Sequence, residues 1–486
     1  MIEAGVLLEM LLEGLPDSRI AGGGSVMVSS LSFDSRSVRP GALFFAIVGE
    51  HTDGHRYVNE AIARGATAVI VERKMDLPPN VANVIVPDSA AALSKIADTF
   101  YRSPSRNLAI AGITGTNGKT TVTHMIAAIA NAAGISAGIV GTLGTKFDGT
   151  DRPLDHTTPL ASELQALLAQ MREKAVKIVA MEVSSHALAL DRVSDVHFSV
   201  AGLTNVTRDH LDFHETPEAY AAAKRRLFDL AERAVFNADD PHGALWAGEL
   251  RGAKPVLTFG VENPADVRAG KVRVNASGSA FEVDGRQFDL QITGRFNVSN
   301  ALCAIAAARM LGIADDISAG GLASVDHVRG RMERIDGGVV EVIVDYAHTP
   351  DALESALRAL GEITHGRRIV VFGCGGDRDR GKRREMGAVV AQNADYAYVT
   401  SDNPRTEDPR TIIDDILFGI AGAPHEIEPD RRRAIAAAIR NAQPGDTILI
   451  AGKGHETYQI VGKDSLPFDD AAEARRALSE REHVPS

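Results

Sequence analysis

Two hydrophobic rhythms alternate along the chain. Short apolar runs rich in Val, Ile and Ala read as strands, and each gives way to apolar residues at helical spacing. Up to about residue 105 the segments "LSFDSRSVRPGALFFAIVG", "YVNEAIARGATAVIVE" and "VIVPDSAAALSKIADTFY" show this alternation and predict a small α/β domain. "SPSRN" at 103–107 has linker composition. A second α/β pattern starts at "LAIAGITGTNGKTTVTHMIAAIANAAG", where a strand enters a glycine loop that opens a long alanine-rich helix. "KIVAMEVSSHAL" and "FSVAGLTNVTRDHLDFH" predict strands running into polar loops, "VSNALCAIAAARMLG" predicts a helix, and "DHVRGRMERI" marks an exit near residue 333. The last region repeats the pattern in "VEVIVDYAHTPDAL", "RRIVVFGCGGDRDRGKRREMG", "DYAYVTSDNPRTEDP" and "DTILIAGKGHETYQ". The expectation is an α/β protein of three domains, 1–105, 106–332 and 333–486, the last doubly wound like a Rossmann fold. In such open sheets, ligands bind beyond the carboxyl ends of the strands, where the polar tails gather.

Length and composition narrow the classes. A chain of 486 residues is too long for one core. Lys and Arg number 52 against 64 Asp and Glu, so the net charge of −12 argues against a general binder of nucleic acid or anionic membrane. An anionic ligand must therefore be held by local basic groups. Two cysteines are too few for a disulfide framework, Cys303 falls in an alanine-rich helical pattern, and a reducing cytoplasm fits best. The start, "MIEAGVLLEMLLEG", lacks the basic residues of a signal peptide, and no run approaches the roughly twenty apolar residues of a membrane span.

Candidate chemistry begins at "GITGTNGKTT". Gly115, Gly118, Lys119 and Thr120 close a strand-to-helix turn, where backbone N–H groups and the helix N-terminus suit phosphate. Lys119 is expected to neutralise phosphate oxygens and Thr120 to place a hydroxyl on Mg²⁺, although Ile113 stands where the usual P-loop has its first glycine. This makes the middle domain a mononucleotide-binding parallel sheet of P-loop type. Glu182 and His210, both just past strands, form a carboxylate and imidazole pair suited to a divalent metal. Lys224, beside Arg225 and Arg226 on a predicted helix, reads as an ordinary surface lysine. "SDNPRTEDP" at 401–409 reads as a loop stiffened by Pro404 and Pro409, and taken alone as a solvated turn with a local ion pair.

The set as a whole resembles the Mur ligases of peptidoglycan synthesis. "GTNGKTT", "MEVSSH", "TNVTRDHLDFH", "AKRRLF", "GRFNVSNALCAIA", "GRME" and "DYAHTPDAL" occur in that family's order. The family's loop is G-T-N-G-K-[ST], so Ile113 is no departure there. The resemblance implies an N-terminal uridine-binding domain and ATP-driven amide formation on UDP-MurNAc-L-Ala-D-Glu by a cytoplasmic monomer. It implies ATP contacts at Gly115, Thr116, Asn117, Gly118, Lys119, Thr120, Thr121, Asn300, Asp345 and His348, with Arg331 assisting phosphoryl transfer. Thr120, Glu182, His210 and a carboxylated Lys224 become the Mg²⁺ ligands. Phe33, Ser35, His51, Thr52, Asp53, Thr157, Thr158, Ser184 and Arg192 match positions that hold the nucleotide-sugar dipeptide. Leu190 departs from the glutamine of some relatives.

"DNPR" with "GKGHE" resembles the pattern of the family's diaminopimelate-adding members. Meso-diaminopimelate differs from lysine by a carboxylate beside its far ammonium. Arg405 supplies a planar donor for that carboxylate, Asp402 an acceptor for the ammonium, and Asn403 amide bonds. Arg378, Pro404, Gly452 and Glu456 complete the pocket by resemblance. Another ligase of the superfamily, such as a folylpolyglutamate synthase, would explain the phosphate loop but not this pair of motifs. A regulatory module without catalysis would be expected to have lost Lys119, Lys224 or Glu182, and all three are present. Cys374 is left open between a reactive thiol and a merely small residue.

Overall fold

The computed structural model describes residues 5–21, 25–49, 52–335 and 340–482. The chain forms two compact units. The first holds Met1–Thr114, Ile135–Ala201 and Ala223–Arg233, and the second holds Gly115–Gly134, Gly202–Ala222 and Ala234–Ser486.

In the first unit, strands Ser30–Ser32, Ala42–Phe45, Ala66–Val71 and Ala82–Ile85 pair in parallel, and Arg19–Ile20 closes the sheet antiparallel. "ALFF" is apolar throughout because both faces of its strand are covered. Leu43 and Phe45 enter one core with Ala68 and Ile70, while Ala42 and Phe44 enter another with Val69 and Val71. Each Leu, Ile, Val or Phe among them, fully buried, contributes roughly 1.5–3 kcal/mol. Helix Ser89–Phe100 starts at Asp88, whose carboxylate accepts from the N–H groups of Ala90 and Ala91, a cap worth ~1 kcal/mol. The same unit carries the parallel strands Ala109–Thr114, Ile178–Glu182 and Ala137–Gly141, extended by the hairpin of Gly144–Phe147 and Thr150–Arg152.

In the second unit, helix Lys119–Ala132 packs against helices Arg295–Met310 and Asp315–Ala323. Parallel strands Ala234–Asn237, Val256–Gly260 and Val267–Arg268 lie beside a three-stranded antiparallel sheet, Gly270–Leu290. The C-terminal sheet runs in the order Glu333–Ile335, Glu341–Asp345, Thr447–Ala451, Arg368–Phe372, Tyr396–Val399, His425–Ile427. All of its pairings are parallel except the first. Alternation again divides its residues between two cores: Ile343, Val370, Phe372 and Leu449 on one face, Val342, Val344, Val371 and Ile450 on the other. This is the doubly wound arrangement expected from the sequence. Among the described residues, no helix is long and apolar enough to cross a membrane.

Candidate active site

The strand Ala109–Thr114 leads directly into the phosphate-type loop. Gly118 caps the following helix at φ +87°, and a Cβ there would stand 2.3 Å from the Asn300 amide oxygen, so only glycine fits. Lys119 folds over the loop, donating from Nζ to the carbonyls of Gly115 (2.9 Å) and Thr116 (2.8 Å). The loop is braced from beneath: Asn205 accepts from the N–H groups of Thr116 and Asn117, and Thr204 donates to the Asn117 carbonyl. Thr116 Oγ1 donates to the Thr207 carbonyl and lies 3.1 Å from the Tyr220 hydroxyl. Thr120 and Thr121 are buried at the start of the helix, and Asn300 is fixed by its bond to Asn297.

The exit segment and the residues that follow strand Glu341–Asp345 converge on this loop. Arg331 donates from Nη2 to Thr120 Oγ1 at 3.1 Å and lies 4.6 Å above the Tyr346 ring. His348 and His455 flank the same ring at 4.5 and 5.0 Å. Burial, with Lys382 nearby, pushes the His348 imidazole below its ordinary value. Burial and then Arg331 push His455 down to about 3, so that ring is neutral at physiological pH. Asp345 accepts from the N–H groups of Met332 and Ala347, fixing the backbone on both sides of Arg331 and His348. Burial raises its carboxyl. Asp351 accepts from Asn117 Nδ2 (3.0 Å) and Thr207 Oγ1 (3.3 Å). His210 sits at φ +52° with its ring 3.3 Å from Asp209. Burial opposes charge on Asp209, yet His210, His348 and Lys382 together hold its carboxyl below the usual range.

The first unit holds the remaining residues. Glu182 ends its strand almost completely buried, and its carboxylate accepts from Thr142, by its N–H (2.8 Å) and hydroxyl (3.0 Å). Thr142 Oγ1 is also 3.0 Å from Thr157 Oγ1. Thr158 donates to the Glu182 carbonyl and accepts from the Ser184 N–H. Ser184 in turn caps helix Ser185–Ala189. Arg192 reaches the Thr158 carbonyl with Nη1, while its buried Nε has no partner among the described residues, and burial lowers its pKa. Leu190 is exposed. Lys224 is buried at 1 % exposure, which overturns the surface-lysine reading.

At the N-terminal end, Phe33 packs against the core and Ser35 donates to Glu60. Thr52 is exposed. Asp53 caps the turn Gly54–Tyr57 and bonds Arg73 and His55, which hold its carboxyl well below the usual range. His51 lies outside the described residues.

The loop at 401–409 shows why its prolines and charges stand where they do. It follows strand Tyr396–Val399 as expected. Pro409 is not a loop stiffener, however, but the first residue of helix Pro409–Ile420, capped by Asp408. Nor does Arg405 form the local ion pair first read there. Glu407 pairs with Arg383 at 2.8 Å, while Arg405 donates to the Gly376 carbonyl at 2.7 Å. Arg405 is held at φ +52° by bonds on both sides to the hairpin Tyr458–Pro467, from its N–H to Ile460 and from the Gly462 N–H to its carbonyl. Gly452, at φ +115°, lets the Asp402 carboxylate come within 2.4 Å of where a Cβ would be. Asn403 spends both ends of its amide: Nδ2 donates to Glu456 (2.8 Å), and Oδ1 accepts from Lys453 (3.1 Å) and the Ile460 N–H (2.9 Å). Arg378 is exposed and bonds the Asp377 carbonyl.

Asp402, Asn403, Arg405, Gly452 and Glu456 are therefore brought together by one loop, one glycine turn and one hairpin. Sequence reasoning missed three supports. Arg431, wholly buried with Asp470, donates to the carbonyls of Ser401 and Ala451, the residues that precede Asp402 and Gly452. Lys453 stands inside the quoted "GKGHE" but drew no role. Asp351 stands in "DYAHTPDAL", and its acidity beside a phosphate loop was the available signal. Cys374 is settled as structural: it is buried 3.6 Å from Met386 Sδ, and burial pushes its thiol up to about 12.

The chain matches the family models described as "Mur ligase family, catalytic domain" over residues 27–113, "Mur ligase middle domain" over 113–308 and "Mur ligase, glutamate ligase domain" over 330–454. It is 44 % identical to the UDP-N-acetylmuramoyl-L-alanyl-D-glutamate–2,6-diaminopimelate ligase of Geobacillus thermodenitrificans, over 98 % of this chain and 99 % of that one. The ligase of the same name from Gloeobacter violaceus is 45 % identical over 96 % and 95 %. A solved structure of a ligase of that name superposes with a TM-score of 0.67 at 34 % identity, covering 94 % of this chain and 96 % of that one. MurF from Acinetobacter baumannii, at 20 % identity, shares the fold with a TM-score of 0.68 over 92 % and 96 %. This chain belongs to the Mur ligase family, with its three-domain α/β architecture, and is a ligase.

Proposed function

We propose that this enzyme joins meso-diaminopimelate to the D-Glu side-chain carboxylate of UDP-MurNAc-L-Ala-D-Glu at the expense of ATP. The observation that carries this reading is the acceptor loop, with Arg405, Asp402 and Glu456 gathered on rigid backbone in a chain so similar to diaminopimelate ligases. The γ-phosphoryl group passes to the D-Glu carboxylate, giving ADP and an acyl phosphate. The diaminopimelate amine then attacks the acyl carbon, and phosphate leaves as the amide forms. A carboxylate is a poor electrophile until phosphorylated, so the amide bond requires the nucleotide. Positioning and charge neutralisation dominate phosphoryl transfer.

In this reading Lys119, Arg331 and the loop amides receive the phosphates, with Gly115–Thr121, Asn300, Asp345 and His348 around the nucleotide. Thr120, Glu182, His210 and a carboxylated Lys224 would hold Mg²⁺. The oxygens of Thr120, Glu182 and a carboxylated Lys224, with the His210 imidazole, suit a divalent cation; when bound, the ion offsets phosphate charge. Arg192, with its unpartnered Nε, is suited to a substrate carboxylate. Phe33, Ser35, Thr52, Asp53, Thr157, Thr158 and Ser184 serve the nucleotide-sugar dipeptide. Domain boundaries near 105 and 332, a monomeric state and action in the cytoplasm complete the proposal. Phosphate release assayed with ATP, UDP-MurNAc-L-Ala-D-Glu and diaminopimelate tests it: omission of any one abolishes release, and release without the amino acid contradicts it.

A further inference from the structure

We propose that Lys453 determines acceptor specificity by setting the charge of the diaminopimelate pocket; this rests on the acceptor-loop assignment above. Its side chain is completely buried, and its ammonium contacts Glu456 Oε2 (3.0 Å) and Asn403 Oδ1 (3.1 Å), 5.6 Å from the centre of the Tyr458 ring. Asn403 Nδ2 donates to that same Glu456 oxygen at 2.8 Å. The three side chains form a closed ring of polar contacts. Because Nζ can only donate, Lys453 also dictates which end of the Asn403 amide is the oxygen, and so the end that accepts from Ile460 N–H. The hairpin that fixes Arg405 is thereby tied to the glycine turn.

Next to this ring, Asp402 and Glu456 contribute two carboxylates against the two cations of Arg405 and Lys453, the buried Arg431 is matched by Asp470, and the remaining pocket cation, Arg378, is exposed. The far end of diaminopimelate carries one ammonium and one carboxylate, and is likewise neutral. The far end of lysine is a cation. A pocket without Lys453 would hold an excess carboxylate, attracting the lysine end and repelling the diaminopimelate carboxylate. Lys453 touches no substrate in this account; it is a positioning residue that acts through Glu456 and Asn403.

The test compares kcat/KM for meso-diaminopimelate and L-lysine in phosphate release with saturating ATP and UDP-MurNAc-L-Ala-D-Glu. Lys453→Met lowers the diaminopimelate-to-lysine ratio at least tenfold, chiefly through KM, and Lys453→Arg restores most of it. Glu456→Gln removes the charge that Lys453 offsets and moves the ratio the other way, so the proposal stands or falls even if Lys453→Met does not fold. An unchanged ratio in Lys453→Met, or a lowered one in Glu456→Gln, overturns it. Arg405→Ala separates the two levels of inference: if that variant keeps normal KM for diaminopimelate, the pocket assignment itself fails. If Arg405→Ala loses diaminopimelate while the Lys453 variants keep the ratio, only the role of Lys453 fails.

Discussion

Arg331 donates a hydrogen bond to Thr120 at 3.1 Å, although 211 residues of chain separate them. The guanidinium leaves the exit segment, crosses the Tyr346 ring and reaches the first turn of the helix that begins at the phosphate loop. Thr120 thereby receives its orientation from a residue outside its own loop. Arg331→Ala is expected to lower kcat by about a hundredfold or more, the scale of losing one charge-stabilising donor in a dry site. Lys at this position restores little, because a point charge cannot bond Thr120 and stack on Tyr346 together. Steady-state phosphate release checks both variants.

Lys224 is buried at 1 % exposure, and in the proposed reading it carries a carboxylate. Carboxylation with CO₂ would turn it into an anion able to ligate metal. Lys224→Ala is expected to lose activity that bicarbonate does not rescue. Carbon-13 NMR of protein equilibrated with labelled bicarbonate should show a carbamate signal that the variant lacks. Normal turnover in the variant would argue against the modification.

Arg431 and Asp470 have no exposed side-chain surface and pair at 2.7 Å. Removing one partner strands the other, at a cost of about 3–5 kcal/mol. Arg431→Met and Asp470→Asn should each lower the urea midpoint of unfolding, and Arg431→Met should also raise KM for diaminopimelate, since the carbonyls of Ser401 and Ala451 lose their donor.

The Cys374 thiol, pushed up to about 12 by burial, is protonated throughout the neutral range. Iodoacetamide at pH 8 should leave it unmodified in the folded enzyme and alkylate it after denaturation, as peptide mapping would show. Rapid labelling of native protein would contradict the burial.

Much of the fold was legible because parallel strands covered on both faces leave uninterrupted apolar runs, as in "ALFF" and "RIVVF", and each run ends at a polar loop. The phosphate loop was legible for the same reason. What sequence could not give was burial and partnership. Lys224 sits among arginines and looks solvated, and nothing local says that its stem turns inward. Pro409 reads equally as a loop stiffener or a helix start until Asp408 is seen to cap the helix. Arg431 and Lys453 act through residues tens of positions away, a relationship that only the pairing of strand ends creates. The roles of Asn403 and Arg405 were argued from substrate chemistry; the hairpin that holds Arg405 at positive φ was not foreseen.

The proposed function centres on Arg405, whose hairpin-braced guanidinium would read the carboxylate by which diaminopimelate differs from lysine. The most direct measurement is mass analysis of the nucleotide product formed from ATP, UDP-MurNAc-L-Ala-D-Glu and an equimolar mixture of the two amino acids, with wild type and Arg405→Ala. Wild type should yield the diaminopimelate product almost alone, and the variant almost no product while still binding ATP. Equal incorporation of lysine by wild type, or undiminished diaminopimelate product from the variant, would contradict it.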